Sequence, residues 1–182
     1  MKIYTRTGDD GSTGTLSGER TLKSEVLMDA VGTIDELNSF LGWWRVSWKD
    51  HEFILEDELI SIQSTLFEIG SEIVGSPGDD RFLADQLEIR IKQLESGIDR
   101  MDHNLPPLQN FILPGGCESA SRGHICRTVC RRSERILVKL SQSQSIRPEI
   151  LQFINRLSDW LFTASRYFNH RHGAIENIWE KK

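Results

Sequence analysis

The sequence predicts an all-α protein, a five-helix bundle packed like the ferritin-like and four-helix-bundle proteins, preceded by an irregular glycine-rich arm. Apolar residues alternate at spacings of three and four over five segments after residue 24. No segment alternates with a period of two for long enough to indicate a sheet, and proline–glycine clusters separate the helical segments. We expect one domain over 1–182, made of an arm (1–23), a bundle (24–169) and a tail (170–182).

The first three helices follow from regular apolar stripes. An apolar residue recurs every seven positions from Leu27 to Trp48, which predicts a first helix over 24–48. Alternating spacings of four and three predict a second helix over 50–74 and a third over 87–101.

The last two helices are bounded by proline and glycine. The run 76–80, Ser-Pro-Gly-Asp-Asp, separates the second helix from the third, and Pro-Gly-Gly at 114–116 precedes a fourth helix over 117–140. Pro148 lies in the first turn of a fifth helix over 148–169, where its missing N–H costs least.

Composition excludes several classes of protein. The chain has 22 Lys+Arg against 27 Asp+Glu, a net charge of −5, and 38% apolar residues, which is typical of a soluble globular protein that binds no nucleic acid. No apolar run approaches the ~18 residues of a membrane span, and the first residues lack a secretion signal. Three cysteines make a disulfide framework improbable, so we expect a cytoplasmic protein.

The arm has the composition of an anion-binding loop. Gly8, Gly11 and Gly14 are spaced by three and interleaved with hydroxyl residues, so consecutive backbone N–H groups can converge on one anion, with Lys23 nearby. The segment is not a Walker A loop, because it lacks Gly-Lys-Ser/Thr. A flexible polar terminus is the alternative, and composition alone favours it.

The fourth helix has a basic face. At ~100° per residue, the apolar residues and Cys126 and Cys130 fall on the opposite face, where the cysteines serve the core rather than a metal. Guanidinium groups suit bidentate phosphate contacts, so this face fits a polyphosphate, an acidic neighbouring subunit, or only solvent. The basic face comprises His124, Arg127, Thr128, Arg131, Glu134 and Arg135, with Arg132 beside it.

The fifth helix carries a second line of residues off the core: Asn155, Asp159, Phe162 and Arg166. Asn155 and Asp159 suit a nucleotide or each other. We also expect a local hydrogen bond for His124, and fraying of the chain around His170 and His172.

Five blocks of sequence together resemble the PduO-type ATP:cob(I)alamin adenosyltransferases. They occur in the order typical of that family and reach from residue 4 to about residue 168. Ser133 and Trp160 depart from the residues common in the family, and the tail past Asn169 matches poorly. The blocks are 4–14, 32–38, 111–116, 127–135 and 155–159.

The resemblance implies a homotrimer of five-helix bundles with sites at the subunit interfaces. Each site would bind ATP and cobalamin and transfer the 5′-deoxyadenosyl group to cobalt, releasing triphosphate. Mg²⁺ would be held by the ATP phosphates rather than by a metal site of the protein. A flavoprotein reductase and an adenosylcobalamin-dependent acceptor enzyme are the partner proteins that this chemistry implies.

The resemblance also implies residue roles. Asp35 would pair with Arg127 across the interface, Phe111 would lie against the lower face of the corrinoid, and Phe162 would shape the same pocket. Arg131, Phe111, Arg127 and Asp35 form the implied catalytic set. The implied nucleotide-binding residues are Thr5, Arg6, Thr7, Gly8, Asp9, Asp10, Gly11, Ser12, Thr13, Lys23, Arg131, Arg132, Glu134, Arg135 and Asn155.

Two other interpretations stay open at this point. One is a corrinoid escort or ATP-responsive module that keeps the fold without turnover, and the other is a structural bundle. The enzyme is favoured, because a site without turnover would be expected to lose charged members first and this set is complete: Arg131, Glu134, Arg135 and Asn155.

Overall fold

A computed structural model describes residues 3–48, 53–75 and 81–181 of the chain. It contains five long helices, which confirms the predicted all-α class. The predicted break at 76–80 and the predicted start of the second helix at residue 50 lie outside the described residues. In chain order the elements are β1 (Ser12–Gly14), β2 (Arg20–Leu22), α1 (Val26–Arg45), α2 (Phe53–Val74), α3 (Arg81–Asp102), α4 (Glu118–Leu140) and α5 (Pro148–Arg171).

The helices pack in a spatial order that differs from their order in the chain. Helix α1 packs against α2 and α4, α4 packs against α5, and α5 packs against α3. Ion pairs between Arg100 and Glu58 (2.7 Å) and between Arg90 and Glu68 (2.5 Å) join α3 to α2. Helix α4, which carries the basic face, therefore packs against both α1 and α5.

The predicted stripe of α1 is its buried face. Ala30, Leu37, Leu41 and Trp44 are all fully buried, as heptad spacing requires of a helix in a bundle. The helix ends at Arg45, earlier than predicted. Trp48 nevertheless contacts the core, because the chain turns back and sets its ring 5.1 Å from that of Trp44.

Both departures from the family pattern fit the core. Trp160 is fully buried and donates a hydrogen bond from its indole nitrogen to Glu58 (3.1 Å). Ser133 is also buried, and its hydroxyl donates to the carbonyls of Val129 and Thr33 (each 3.2 Å), so the extra oxygen has partners.

The arm contains a small sheet, so the prediction that no strands form was wrong there. Strands β1 and β2 pair antiparallel, with Thr13 opposite Thr21 and Gly14 opposite Arg20. Each strand has three residues, which is too short for an alternating pattern to stand out in the sequence.

The end of α5 is ordered, which contradicts the fraying predicted there. The helix runs through His170 to Arg171, and the ring of His172 stacks on Phe168 at 6.5 Å. Among the residues that the structure describes, no helix is long and apolar enough to cross a membrane.

Candidate functional site

The first part of the candidate site is a turn in the arm. The N–H of Gly11 donates to the carbonyl of Gly8 (3.3 Å), and the N–H of Lys23 donates to the carbonyl of Gly11 (2.9 Å). The ammonium of Lys23 donates to the Gly8 carbonyl (2.8 Å). The glycines thus lie in a turn closed by internal hydrogen bonds, and the Lys23 ammonium contacts its backbone. That its N–H groups bind an anion stays a prediction.

Asp10 organises the other side of this turn. One of its carboxylate oxygens accepts hydrogen bonds from the Ser12 hydroxyl (2.7 Å) and the Ser12 N–H (3.0 Å), and these bonds lower the pKa of Asp10. Arg20 lies 3.4 Å from the same oxygen and donates to the carbonyl of Thr7 (2.6 Å). Sequence reasoning missed Arg20, since only the β1–β2 pairing brings it to the turn.

The remaining arm residues are more open. The hydroxyls of Thr5 and Thr7 lie 2.8 Å apart, and Arg6 adopts a positive φ of 63° with its guanidinium 5.5 Å from the ring of Tyr4. Asp9 is exposed. These groups face solvent, so the two hydroxyls and the guanidinium are accessible to an anion, and the Asp9 carboxylate is accessible to a cation.

A cleft of about 470 Å³ separates the arm from the bundle. Thr13 lines it from β1, and Asp35 lines it from α1. Phe67 of α2 adds an aromatic ring that is 68% exposed. The cleft therefore brings together the arm and Asp35, two of the parts that the sequence predicted to share a site.

The basic face of α4 divides into two parts. Arg131 and Arg135 are exposed, and Arg135 donates to the carbonyl of Arg131 (2.9 Å). Arg132 instead forms an ion pair with Glu36 of α1. The predicted row of arginines thus offers Arg131 and Arg135 to a ligand, whereas Arg132 is already paired with a carboxylate.

Glu134 and Asn155, which the resemblance places in the nucleotide site, contact each other in this structure. The Asn155 amide donates to the Glu134 carboxylate (2.8 Å), which links α4 to α5 beside the exposed arginines. Asp159 does not join them, because it pairs with Arg156 (2.7 Å) one turn along α5.

The buried His124 and the half-buried Arg127 lie beside Phe162. His124 is 3% exposed, and neither ring nitrogen has a hydrogen-bond partner among residues 3–48, 53–75 and 81–181. The predicted local hydrogen bond is absent from this part of the chain, and His124 does not belong to the exposed face. Burial, and then the nearby Arg127, lowers the pKa of His124 to about 4. Phe162 lies between them, 6.1 Å from the His124 ring and 5.9 Å from the Arg127 guanidinium.

Arg127 lacks an anion within the described part of the chain. Its Nε is buried without a partner, and burial followed by repulsion from Arg131 lowers its pKa. Among the described residues, no ion pair joins Arg127 to Asp35. Asp35 lines the cleft beside the arm instead. A half-buried guanidinium of this kind is costly until a carboxylate reaches it.

The last part of the site is the loop that carries Phe111. The Phe111 ring is 80% exposed and lies edge-to-face with Trp179 of the tail, at 6.3 Å. A cleft of about 490 Å³ opens beside both rings and is also lined by Leu108 and Lys181. The tail, whose covering of the corrinoid the sequence leaves open, therefore lies against the Phe111 loop.

The two cysteines of α4 belong to the core. Cys126 and Cys130 are fully buried, and burial raises the pKa of the Cys126 thiol to about 12 and that of Cys130 further. Residues 3–48, 53–75 and 81–181 contain no group of three or more His, Cys, Asp or Glu side chains that could hold a metal ion.

Comparison with known proteins gives consistent matches along the whole chain. Residues 3–168 match the family described as cobalamin adenosyltransferase. The corrinoid adenosyltransferase MMAB of Bos taurus is 40% identical over 190 residues, covering 99% of this chain and 76% of that protein. The corrinoid adenosyltransferase of Bacillus subtilis is 42% identical over 184 residues, covering 100% and 93%.

A solved structure has the same fold as this chain. It is a phenylalanine-to-alanine variant of the PduO-type ATP:corrinoid adenosyltransferase from Lactobacillus reuteri, complexed with cobalamin and ATP. It superposes with a TM-score of 0.91 at 36% identity, over 99% of this chain and 100% of that one. By the family match, the sequence identities and the shared fold, this chain belongs to the cobalamin adenosyltransferase family.

Proposed function

We propose that this protein transfers the 5′-deoxyadenosyl group of ATP to the cobalt of cob(I)alamin, forming adenosylcobalamin and triphosphate. The relative complexed with both cobalamin and ATP supports these substrates. The observation that carries the proposal is the pairing of two exposed arginines, Arg131 and Arg135, with the Glu134–Asn155 contact beside them. This arrangement provides positive charge for the triphosphate and hydrogen bonds for the nucleoside.

The reaction needs no nucleophile from the protein. Reduced cobalt supplies the electron pair that forms the cobalt–carbon bond to C5′, while the bond from C5′ to oxygen breaks and its electron pair leaves with the triphosphate. The tasks left to the protein are orienting C5′ towards cobalt and stabilising charge on the leaving oxygen. Arg131, Arg135 and Lys23 suit the second task, because all three are exposed cations, and backbone carbonyls hold the side chains of Arg135 and Lys23 in place.

Phe111 suits a separate task, the exclusion of an axial ligand. Cob(II)alamin is harder to reduce while a lower ligand stays on cobalt. An exposed ring on a loop that ends in a Pro-Gly-Gly turn can occupy that position and make the reduction easier. Phe162, half-buried beside Arg127, is the other aromatic residue that we assign to this pocket.

The complete site requires a second copy of the chain. The arm and Asp35 share the α1–α2 cleft, whereas Arg131, Glu134 and Asn155 lie on α4 and α5. We assign the protein to a homotrimer in which Asp35 of one subunit pairs with Arg127 of the next, which would supply the anion that Arg127 lacks. Size-exclusion chromatography of Arg127→Ala together with ATP binding tests this: loss of the trimer, or of ATP affinity within an intact trimer, supports the pairing, and loss of neither contradicts it.

Magnesium fits the arrangement as a companion of the nucleotide. Mg²⁺ binds through one or two carboxylates together with substrate phosphates. The exposed Asp9 of the arm is the carboxylate placed to contribute, since Asp10 is occupied by Ser12 and Arg20. Bound there, the ion would neutralise part of the triphosphate charge.

We place the protein in the cytoplasm as a single domain, with a reduced flavoprotein as electron donor and an adenosylcobalamin-dependent enzyme as recipient of the product.

One assay tests the proposed function. Protein, ATP and Mg²⁺ are mixed with chemically reduced cobalamin, and the absorbance of adenosylcobalamin is followed over time. Product formed at a rate proportional to the protein, and absent when ATP is omitted, is the expected result. Corrinoid binding that depends on ATP but gives no product would contradict transfer.

A further inference from the structure

The buried side chain of Arg166 joins helix α5 to the tail by an ion pair and to the loop that carries Phe111 by a hydrogen bond. Arg166 of α5 is 4% exposed, and its Nε lies 3.2 Å from each carboxylate oxygen of Glu176 in the tail. Its Nη2 also donates to the carbonyl of Pro106 (2.9 Å), at the start of the Phe111 loop. The sequence predicted Arg166 on an exposed line with Asn155, and the structure corrects this. We call Arg166, Glu176 and the Pro106 carbonyl the clasp.

The far end of the same loop is held from the same helix. Asn169 is 1% exposed, donates to the carbonyl of Gly115 (2.9 Å) and accepts from the N–H of Cys117 (2.9 Å). Gly116 packs so closely on this amide that a Cβ would lie 2.0 Å from its oxygen. The last turns of α5 thus hold both ends of the loop.

The tail holds the middle of the loop. Ile178 pairs with Ile112 in an antiparallel bridge, and the N–H of Leu113 donates to the carbonyl of Asn177 (2.8 Å). The N–H of Trp179 donates to the carbonyl of Phe111 (2.7 Å). The backbone of Phe111 is therefore fixed by hydrogen bonds, although its ring remains exposed.

We propose that Arg166 is a positioning residue which, through Glu176 and Pro106, holds the tail and the loop as one unit and sets how far Phe111 projects towards the corrinoid. This inference rests on the proposed function. Arg166 touches no reacting atom, because its guanidinium is buried among protein groups. Its effect comes from the geometry of the wedge, and a displacement of about 1 Å at a reacting centre can cost about a hundredfold in rate.

Two assays separate this role from general support of the fold. Rates are measured from cobalamin already reduced to cob(I)alamin, where the wedge is not needed, and from cob(II)alamin with reduced flavin, where it is. Arg166→Met and Glu176→Gln break the clasp from its two sides, and Phe111→Ala serves as the reference for loss of the wedge. Arg156→Met is the matched control, because this arginine of α5 also forms ion pairs, with Glu95 and Asp159.

We expect both clasp variants to lose about tenfold or more from cob(II)alamin and less than about threefold from cob(I)alamin, following Phe111→Ala. The absorption signature of cob(II)alamin without an axial ligand, recorded with ATP bound, should weaken in parallel. Arg166→Lys, which keeps the charge, should restore part of the loss, and the control should change neither rate selectively.

Equal losses in the two assays, or no loss in either, would overturn the positioning role. Should Arg166→Met fail to fold by circular dichroism, Glu176→Gln decides the question, since it keeps the size of the side chain. If the unsubstituted protein makes no adenosylcobalamin from cob(I)alamin, the proposed function itself fails and this inference fails with it.

Discussion

Side chains in contact with solvent hold the amino-terminal arm together, whereas buried side chains of α5 tie the Phe111 loop to the bundle. In the ion pair of the arm, the side chains of Arg20 and Asp10 are 48% and 68% exposed. On the loop side, Arg166 and Asn169 are 4% and 1% exposed. Polar contacts hold both segments, but those of the arm are exposed and those of the loop are buried.

This difference indicates how each segment works. Exposed ion pairs contribute about 0–1 kcal/mol, so the arm is held weakly until a ligand adds contacts. Breaking a buried hydrogen bond leaves a desolvated group without a partner, which costs about 1–3 kcal/mol, so the loop is fixed in advance. The proposed roles, an arm that closes on ATP and a rigid Phe111 loop against the corrinoid, need these opposite properties.

The largest expected effect tests whether α4, rather than the arm, supplies the rigid charge of the nucleotide site. We expect Arg131→Ala to lose roughly 2–4 kcal/mol of transition-state stabilisation, since a preorganised cation facing the leaving triphosphate is removed. The measurement is kcat/KM with cob(I)alamin, and Lys139→Ala, an exposed cation of the same helix, is the control. Near-normal turnover of Arg131→Ala would remove this residue from the catalytic set.

A pair of glycine substitutions compares the two segments directly. Gly116→Ala should cost about 2–3 kcal/mol of unfolding free energy, because φ is +109° and the new Cβ would displace the buried Asn169 amide. Gly11→Ala in the arm should cost about 1–2 kcal/mol, because φ is +85° but the space around it is open. Urea unfolding measures both, and equal costs would show that the loop is no more tightly held than the arm.

Acid titration tests the burial of His124 on α4. The pKa of His124 lies at about 4, against 6.5 for a free imidazole, so between these values the unfolded chain binds a proton that the native protein does not. The stabilisation is complete above pH 6.5 and is lost as the pH falls towards 4, by roughly 2–3 kcal/mol. Unfolding free energies from pH 7 to pH 4 should fall less for His124→Leu than for the unsubstituted protein. If the unfolding free energies of the two proteins fall in parallel with pH, the lowered pKa of His124 is contradicted.

The smallest expected effect lies in the arm. Lys23→Ala should change the free energy of unfolding by less than about 1 kcal/mol, because the lost bond to Gly8 is exposed. Hydrogen exchange with and without ATP provides the sharper measurement. ATP should protect the arm amides strongly and those of the Phe111 loop little. Equal protection of both would remove the distinction drawn between them.

Much of the fold follows from the sequence because its signals are local. The stripe from Ala30 to Trp44 predicts the buried face of α1 within a few turns, and Pro148 predicts the start of α5. The off-core placement of Glu134 and of Asn155 also follows from the period of each helix, whereas only the packing of α4 against α5 brings the two side chains together. Periodicity fixes a face once the helix is known.

Other parts of the site carry no local signal. Arg20 reaches Asp10 only through a hairpin of two short strands, and Arg132 turns from the arginine row because Glu36 of α1 lies beside it. His124 shares the helical period of the basic face but is buried against Phe162 of α5. Side-chain choices of this kind depend on the neighbouring helix, which the pattern of one segment does not specify.

The sequence by itself determined five amphipathic helices, a glycine-rich arm and a concentration of arginines, since each is written in the spacing of nearby residues. The tertiary structure alone decided that Arg166 is buried and that the tail pairs with the Phe111 loop, because the partners of Arg166 lie 60 and 10 residues away. A buried charge is stable only where such partners converge, and that convergence is a property of the packed chain.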